Sequence, residues 1–199
     1  MSISYENGTP IAYDASCDKI LNYSTREGTN EAYGIFSILP CVNRDREIVY
    51  CCGHSGSGKS TNAADYALKY RQFFPKNPII MFSQFNEDKA FEKDLEGNDI
   101  RKKLLIRRII LDEEFSRMTI NVIEEFHDCL IIFDDCLIFP DKNIANKIKD
   151  VIHQVLQLGR KNHISCFITS HLLYGDDTKL YRLLMIEIDK LIFYKGSNV

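Results

Sequence analysis

The sequence lacks the features that mark secreted and membrane-spanning proteins. No basic segment followed by an apolar stretch opens the chain, and no window approaches the roughly 18 consecutive apolar residues that a membrane span needs. Direct membrane insertion is therefore not expected. No internal repeat is visible, and no long polar tract predicts a large disordered tail.

The chain also lacks an excess of positive charge. Its formal net charge is −3 and its isoelectric point is about 6.0. These values argue against a monomer that coats nucleic acid through its overall charge, so any DNA contact must be local. The densest basic cluster, "RKKLLIRR" (101–108), could contact a nucleic-acid backbone, but a solvated face beside a strand is the plainer interpretation.

Cysteine is present, but the CxxC spacing of redox and zinc motifs is not. The seven cysteines stand at positions 17, 41, 51, 52, 129, 136 and 166. Four of them, at 51, 52, 129 and 166, lie in or beside apolar runs, which predicts reduced core residues in a reducing compartment. His54 has no second ligand at zinc spacing, so it is interpreted as a loop residue.

What the chain does contain fits one folded domain with an α/β pattern. Its 199 residues are 45% hydrophobic and 27% charged, the ordinary values of a soluble globular protein. Apolar runs alternate with segments of helical periodicity, which predicts a doubly wound fold with a mostly parallel sheet. Strands are predicted at 33–40, 46–52, 77–83, 104–111, 129–136, 163–171 and 189–195; helices are predicted at 59–74, within 84–103, and at 118–128, 143–159 and 178–188.

One glycine-rich loop has the spacing of a phosphate-binding loop. "CCGHSGSGKST" (51–61) follows a predicted strand and opens a predicted helix, and it fits the pattern G-x-x-x-x-G-K-[ST]. Backbone amides of such a loop point at the β- and γ-phosphates, and the helix adds its positive dipole end. We predict that Lys59 neutralises phosphate charge, Ser60 coordinates Mg²⁺ and Thr61 contacts the α-phosphate side. The predicted nucleotide-binding residues are Gly53, His54, Ser55, Gly56, Ser57, Gly58, Lys59, Ser60 and Thr61.

Two adjacent carboxylates end the most continuous apolar run. "LIIFDD" (130–135) reads as a strand buried at the centre of a parallel sheet, and such a strand characteristically ends in the carboxylate that holds the Mg²⁺ water shell. Asp134 is predicted to take the metal role. Asp135 could orient or deprotonate the attacking water, although an aspartate that caps the following turn is the plainer alternative.

Further polar residues follow the next predicted strand and the helix before it. The strand ends "ITSH", so Thr169, Ser170 or His171 could sense the γ-phosphate at the carboxyl edge of the sheet, and His171 is favoured. A histidine with an ordinary hydrogen-bonding role remains the alternative. Arg160 follows the helix stop at Gly159; it could serve as a dipole partner of that helix or as a finger that reaches the γ-phosphate of a neighbouring subunit.

Four segments together resemble the genome-packaging ATPases of large double-stranded DNA viruses and virophages, the poxvirus-type branch of the FtsK–HerA superfamily. They are "GHSGSGKST", "LIIFDD", "GRKNHISCFITSHLL" and "DKLIFYKGSN", and the resemblance runs from about residue 46 to the end. Residues 1–45 lie outside it and are expected to form an extension packed on the core. Many members have Glu where this chain has Asp135, and relatives usually continue past the last strand, so the resemblance implies a compact or truncated member.

This resemblance implies a RecA-like P-loop NTPase of the ASCE type over residues 46–199, with helices on both faces of the sheet. It further implies hydrolysis of ATP with Mg²⁺, a homo-oligomeric ring of five or six subunits, and translocation of double-stranded DNA into a preformed capsid. Lys59, Asp135, Arg160 and His171 match the family's catalytic positions, with Arg160 acting between subunits; Ser60 and Asp134 match its metal ligands.

The implied partners are duplex DNA and capsid or portal-vertex proteins, in the host cytoplasm, a viral factory or the virion. Pore-facing segments are expected in the loops 84–89 and 138–143. Two other functions stay open: a P-loop nucleotide or small-molecule kinase, although no arginine-bearing lid is evident, and a nucleotide-dependent adaptor that does not hydrolyse ATP.

Overall fold

The computed structural model describes residues 2–4, 9–14, 19–24, 40–41, 44–93, 96–175 and 177–194. Contacts divide the chain into two compact units, Met1–Phe36 and Ser37–Val199. The predicted strand at 33–40 falls almost entirely outside the described residues. The predicted boundary between residues 45 and 46, and the packing of the extension on the core, stay predictions.

The first unit contains three strands that form an antiparallel sheet within its described residues. They are β1 (Ser2–Ser4), β2 (Thr9–Asp14) and β3 (Lys19–Ser24), in the order β1-β3-β2. The register of β2 against β3 shifts between Pro10 and Ala12. Such a shift suits a proline, which has no N–H to donate to a ladder.

The second unit alternates strands and helices along its described residues. Its strands are β4 (Ile48–Cys52), β5 (Ile79–Ser83), β6 (Ile106–Ile110), β7 (Leu130–Asp134), β8 (Ser165–Ser170) and β9 (Lys190–Phe193). Its α-helices are α1 (Lys59–Phe73), α2 (Lys89–Glu92), α3 (Arg101–Leu104), α4 (Glu113–Arg117), α5 (Val122–Glu125), α6 (Lys142–Leu158) and α7 (Thr178–Glu187), and a 3₁₀ turn spans Gly159–Asn162.

The strands of this unit form one parallel sheet in the order β6-β5-β7-β8-β4-β9. β8 therefore lies between β4, which leads into the glycine-rich loop, and β7, which ends in the acidic pair. This arrangement confirms the predicted RecA-like α/β fold. Because the strands are parallel, their carboxyl ends meet at one edge, where α/β proteins bind ligands.

Side chains of the central strands alternate between two apolar cores, one on each face of the sheet. In β4, Ile48 and Tyr50 join the core covered by α4 to α7, whereas Val49 and Cys51 join the core covered by α1 to α3. Strands buried on both faces need near-continuous apolar sequence, which explains why the runs of β4, β7 and β8 are recognisable. Helices on both faces confirm the doubly wound prediction.

The long helices start and stop close to the predicted positions. α6 begins with Asp141, whose carboxylate accepts hydrogen bonds from the amides of Asn143 and Ile144, and it ends at Gly159 as expected. α7 and β9 also match their predicted segments. No helix within the described ranges is long and apolar enough to cross a membrane.

The helix predicted over 118–128 is wrong for most of its length. Only Val122–Glu125 is helical, and extended residues at Asn121 and Phe126 bound that single turn. The apolar residues Ile120, Val122 and Phe126 are nonetheless buried. Their burial explains the error, since an irregular segment that packs on a core can imitate helical periodicity.

The cysteines within the described residues are free thiols, and all except the partly exposed Cys41 are buried. Burial raises the pKa of Cys51 to about 12 and that of Cys129 to about 12. Thiols held neutral in this way are unreactive. This confirms the prediction that Cys51, Cys52, Cys129 and Cys166 are core residues without a disulfide partner, whereas their reducing compartment stays a prediction; Cys17 lies outside the described residues.

Candidate nucleotide-binding site

The glycine-rich loop connects β4 to α1 at the carboxyl edge of the sheet. The Gly53 amide donates a hydrogen bond to the Ser170 carbonyl at 3.1 Å, which fixes the start of the loop to β8. Gly58 has a φ of 96°, a conformation that favours glycine. α1 follows it without a side-chain cap in its first turn. The first amides of a helix need acceptors, so this helix end suits an anion such as phosphate.

Lys59 is buried at the start of α1, with 5% of its surface exposed. Its Nζ donates hydrogen bonds to the carbonyl oxygens of Gly53 at 3.1 Å and His54 at 3.2 Å, and it lies 3.4 Å from Nδ1 of His171. A buried ammonium group needs such acceptors. The lysine side chain is thus held against the loop. Its positively charged Nζ lies beside the groups that would surround a bound phosphate.

Asp134 ends β7 and meets α1 across the loop. Its Oδ1 accepts a hydrogen bond from Ser60 Oγ at 3.2 Å and another from Thr169 Oγ1 at 2.8 Å, and its side chain is almost completely buried. Burial raises the pKa of Asp134 to about 6, although the Thr169 hydrogen bond opposes this shift. A nearby divalent cation would favour the charged carboxylate, and a hydroxyl and a carboxylate are the oxygen ligands that Mg²⁺ prefers. The residues therefore fit a magnesium ion.

Asp135 leaves the strand in a left-handed conformation, with a φ of 50°. Its amide donates to Thr169 Oγ1 at 2.8 Å, and its carboxylate Oδ2 lies 3.1 Å from Nε2 of His171. Its other oxygen, Oδ1, is buried and has no hydrogen-bond partner among the residues that the structure describes. A buried acceptor without a partner is unfavourable, so this atom has capacity to accept a hydrogen bond from a bound group.

A cavity of about 340 Å³ opens beside the acidic pair. Its walls come from the ends of β5, β7 and β8, the start of α1 and the loops that follow the strands: Ser60, Ser83, Gln84, Phe85, Asp88, Asp134, Asp135, Leu137, Ile138, Ser170 and His171. The loops 84–89 and 138–143 thus border the candidate site. That these loops face a pore stays a prediction.

The structure brings together the predicted residues of the loop, the acidic pair and His171. Arg160 is not among them, because it lies exposed in the 3₁₀ turn Gly159–Asn162, before the amino end of β8. One strand, about 20 Å long for six residues, separates this end of the sheet from the loop edge. Within one chain Arg160 cannot reach the site, and its role between subunits stays a prediction, as do the catalytic and ligand roles of the other residues.

Sequence reasoning missed or ranked low three side chains around the site. Thr169 was one of three candidates at the end of β8, and it contacts both carboxylate residues at 2.8 Å. Gln84 donates from Nε2 to the Asp135 carbonyl at 3.0 Å. Tyr194 lies against the glycine-rich loop. The strand-end position of Thr169 was a usable signal, but no sequence pattern distinguishes Gln84 or Tyr194.

No family model matches the chain. The chain is 36% identical over 153 residues to the uncharacterized protein V3 of the Sputnik virophage, a match that covers 77% of the chain and 58% of that protein. The matched part of the chain thus spans less than two thirds of its virophage relative.

Three solved structures share 15–18% sequence identity with the chain. The cytoplasmic domain of EssC has a TM-score of 0.49, over 75% of this chain and 31% of that one. A KaiC-like protein of Pyrococcus horikoshii has a TM-score of 0.48, over 80% of this chain and 79% of that one. B204, the DNA-packaging ATPase of Sulfolobus Turreted Icosahedral Virus, has a TM-score of 0.45, over 76% of each chain.

The match to the virophage protein is a match of amino-acid sequence. The RecA-like strand order is a separate observation, which comes from the sheet of this structure. The glycine-rich loop, the acidic strand end and the polar end of β8 occupy the positions that their order in the sequence led us to expect. The chain is a relative of virophage protein V3, and it has a RecA-like α/β fold with the glycine-rich loop and the acidic strand end at one edge of the sheet.

Proposed function

We propose that the chain is the ATP-hydrolysing core of a motor that moves double-stranded viral DNA into a preformed capsid. The observation that carries this proposal is the hydrogen bond from Ser60 Oγ to Asp134 Oδ1, at 3.2 Å, one residue after the buried Lys59. This arrangement provides a phosphate loop, a carboxylate and a hydroxyl at one edge of one parallel sheet.

Each residue of the site has a task in this proposal. The loop amides and Lys59 hold the β- and γ-phosphates, and Ser60 with Asp134 holds Mg²⁺ and its waters. The ion supplies charge neutralisation at the transferring phosphate when it is bound. Asp135 orients the water that attacks the γ-phosphate, or accepts a proton from it. His171 holds the Asp135 carboxylate in position.

The step from nucleotide hydrolysis to DNA movement is supported by the resemblance of the motif set and by a relative in a virophage. The negative net charge fits a subunit that contacts DNA only through local surfaces, as a ring would. The partners in this proposal are duplex DNA, capsid or portal-vertex proteins, and further copies of this chain. Arg160, exposed and remote from its own site, is assigned to the site of a neighbouring copy.

The test is a measurement of phosphate release from ATP with Mg²⁺, with and without duplex DNA and without a phosphate acceptor. Wild-type protein should release phosphate, and duplex DNA should accelerate the release. Lys59→Ala and Asp134→Ala should abolish turnover, whereas Glu113→Gln, a change in the exposed ion pair between Glu113 and Arg117, should leave it unchanged. Unaltered rates in either site variant would refute the site. Nucleotide binding with negligible turnover on DNA would instead indicate an adaptor.

A further inference from the structure

The last described residue of the chain, Tyr194, lies directly against the glycine-rich loop. It follows β9, which pairs only with β4 in the described sheet. The amide of Tyr194 donates to the Cys52 carbonyl at 3.0 Å, so its backbone is fixed to the strand from which the loop begins.

The side chain of Tyr194 spans the loop from its first glycine to its last. A Cβ atom on Gly53 would lie 2.8 Å from Tyr194 Cβ, and a Cβ atom on Gly58 would lie 3.8 Å from the Tyr194 hydroxyl. The phenol oxygen also lies 3.5 Å from the Gly58 carbonyl oxygen and accepts a hydrogen bond from Asn62 Nδ2 at 3.2 Å. Tyr194 therefore contacts both ends of the loop and the first turn of α1.

We propose that Tyr194, together with Asn62, is a positioning residue that holds the glycine-rich loop in its phosphate-binding shape. The loop contains two glycines with positive φ, Gly56 and Gly58, so its backbone has more conformations available than an ordinary turn. Contact with a half-buried ring restricts these conformations before the nucleotide binds, and preorganisation of this kind increases affinity. The inference rests on the proposed function, because it assigns the loop a phosphate ligand.

The chain offers a matched control for this idea. Tyr70 has the same chemical arrangement at the far end of α1, where its hydroxyl accepts a hydrogen bond from Asn77 Nδ2 at 3.2 Å. Tyr70 is buried on the α1 face of the sheet, and Asn77 follows the C-terminal end of that helix. Tyr70→Phe thus removes an equivalent hydroxyl and hydrogen bond without contact with the loop.

The experiment measures the dissociation constant for a fluorescent ADP with Mg²⁺, alongside the melting temperature of each nucleotide-free variant. Wild type should bind the probe. Tyr194→Phe should weaken binding roughly two- to tenfold, the range expected for loss of one neutral hydrogen bond, and Tyr194→Ala should weaken it further. Asn62→Ala should resemble Tyr194→Phe, and the double variant should lose less than the product of the two single effects. Tyr70→Phe should leave affinity at the wild-type value, whatever its effect on melting.

The outcomes separate this inference from the proposed function. If wild type binds the probe and Tyr194→Ala binds it within twofold of wild type, Tyr194 does not position the loop, but the nucleotide site is still supported. The same conclusion follows if Tyr70→Phe weakens binding as much as Tyr194→Phe, because a general loss of stability would then explain both. If wild type does not bind fluorescent ADP with Mg²⁺, both the inference and the proposed function are wrong.

Discussion

His171 connects the two halves of the candidate site: its Nε2 lies 3.1 Å from Asp135 Oδ2, and its Nδ1 lies 3.4 Å from Lys59 Nζ. The imidazole therefore contacts the lysine of the glycine-rich loop and the second carboxylate of the acidic pair at once. A ring in this position restricts where the Asp135 carboxylate can point. On the proposed function, its main contribution is to the orientation of Asp135.

We expect His171→Ala to lower kcat for ATP hydrolysis about ten- to a hundredfold, the range for an outer residue that orients a functional side chain, while nucleotide affinity changes little. If His171 acts through Asp135, the variants His171→Ala and Asp135→Asn share one effect. The double variant should then be scarcely slower than Asp135→Asn alone. Steady-state phosphate release by the four proteins checks this, and fully multiplicative losses would show that His171 acts independently of Asp135.

Two substitutions of Asp135 should distinguish the effect of its negative charge from the effect of its side-chain length. Asp135→Asn removes the negative charge with little change in shape, so we expect kcat to fall by at least about a hundredfold. Asp135→Glu keeps the charge and adds one methylene, as in many ATPases of the type that the chain resembles, and should retain turnover within about tenfold of wild type. Phosphate release provides the measurement. Equal losses in the two variants would exclude a role for the carboxylate charge.

Gly58 should be indispensable for nucleotide binding because of its backbone conformation. With φ at 96°, alanine at this position is strained by about 1–2 kcal/mol, although its Cβ would meet only the Tyr194 hydroxyl, at 3.8 Å. Gly97 has a similar φ of 86° in a turn with nothing near its added Cβ. Gly58→Ala and Gly97→Ala should therefore lose similar stability on urea unfolding, but only Gly58→Ala should lose affinity for fluorescent ADP. Equal affinities would contradict the proposed loop.

Asp134→Asn should stabilise the nucleotide-free protein while it abolishes turnover. The pKa of Asp134 is about 6 in the folded chain against an ordinary 3.8, so ionisation of this carboxyl opposes folding. Its contribution to stability is full below about pH 4 and is lost as the pH rises through about 6. At pH 7 without Mg²⁺ the variant should thus be more stable by roughly 1–3 kcal/mol.

Urea unfolding of wild type and Asp134→Asn at pH 4, 5, 6 and 7 measures this difference. The gap between the two proteins should widen as the pH increases. Asp141→Asn, which replaces one good N-cap residue by another, should not show that trend. A gap that is constant with pH would show that Asp134 titrates normally in the folded chain.

A buried acidic group far from the loop should matter for stability alone. Glu47, with 3% of its surface exposed, pairs with Lys190 at 2.9 Å and accepts a hydrogen bond from the Tyr66 hydroxyl at 2.7 Å. Glu47→Ala removes the acceptor of the buried Tyr66 hydroxyl and one partner of Lys190, and it should lower the free energy of unfolding by about 1–3 kcal/mol.

The matched control for Glu47 is Glu113→Ala, which breaks the exposed ion pair between Glu113 and Arg117 and should change stability by less than about 1 kcal/mol. Chemical denaturation measures both variants. A loss of similar size in the two would contradict the assignment of Glu47 as a buried structural pair.

The sequence was sufficient to predict the elements whose burial is continuous or whose periodicity is strong. β7 and β8 are buried on both faces and α6 has its apolar residues on one side, so their patterns are unambiguous. The glycine-rich loop was recognisable because phosphate binding fixes both residue types and spacing. The irregular segment around Val122 was misassigned, because tertiary packing rather than local propensity determines its shape.

The contacts within the site were harder to predict than its members. That Asp135 turns into a left-handed conformation and meets His171 depends on the exact end of β7, which a one-dimensional pattern does not specify. The position of Tyr194 depends on which strand β9 pairs with, a contact between distant parts of the chain. Such pairings follow from the complete topology and leave no local signature in the sequence.

The pairing of β4 has a consequence for how the protein forms. Its neighbours in the sheet are β8 and β9, both more than a hundred residues later in the chain. During synthesis, β4 cannot pair with either of these two strands until the residues of β8, which begins at Ser165, have left the ribosome. On the proposed function, nucleotide would bind only after these pairings have formed. Folding of this sheet should be slow, because long loops must close before the contacts of β4 form.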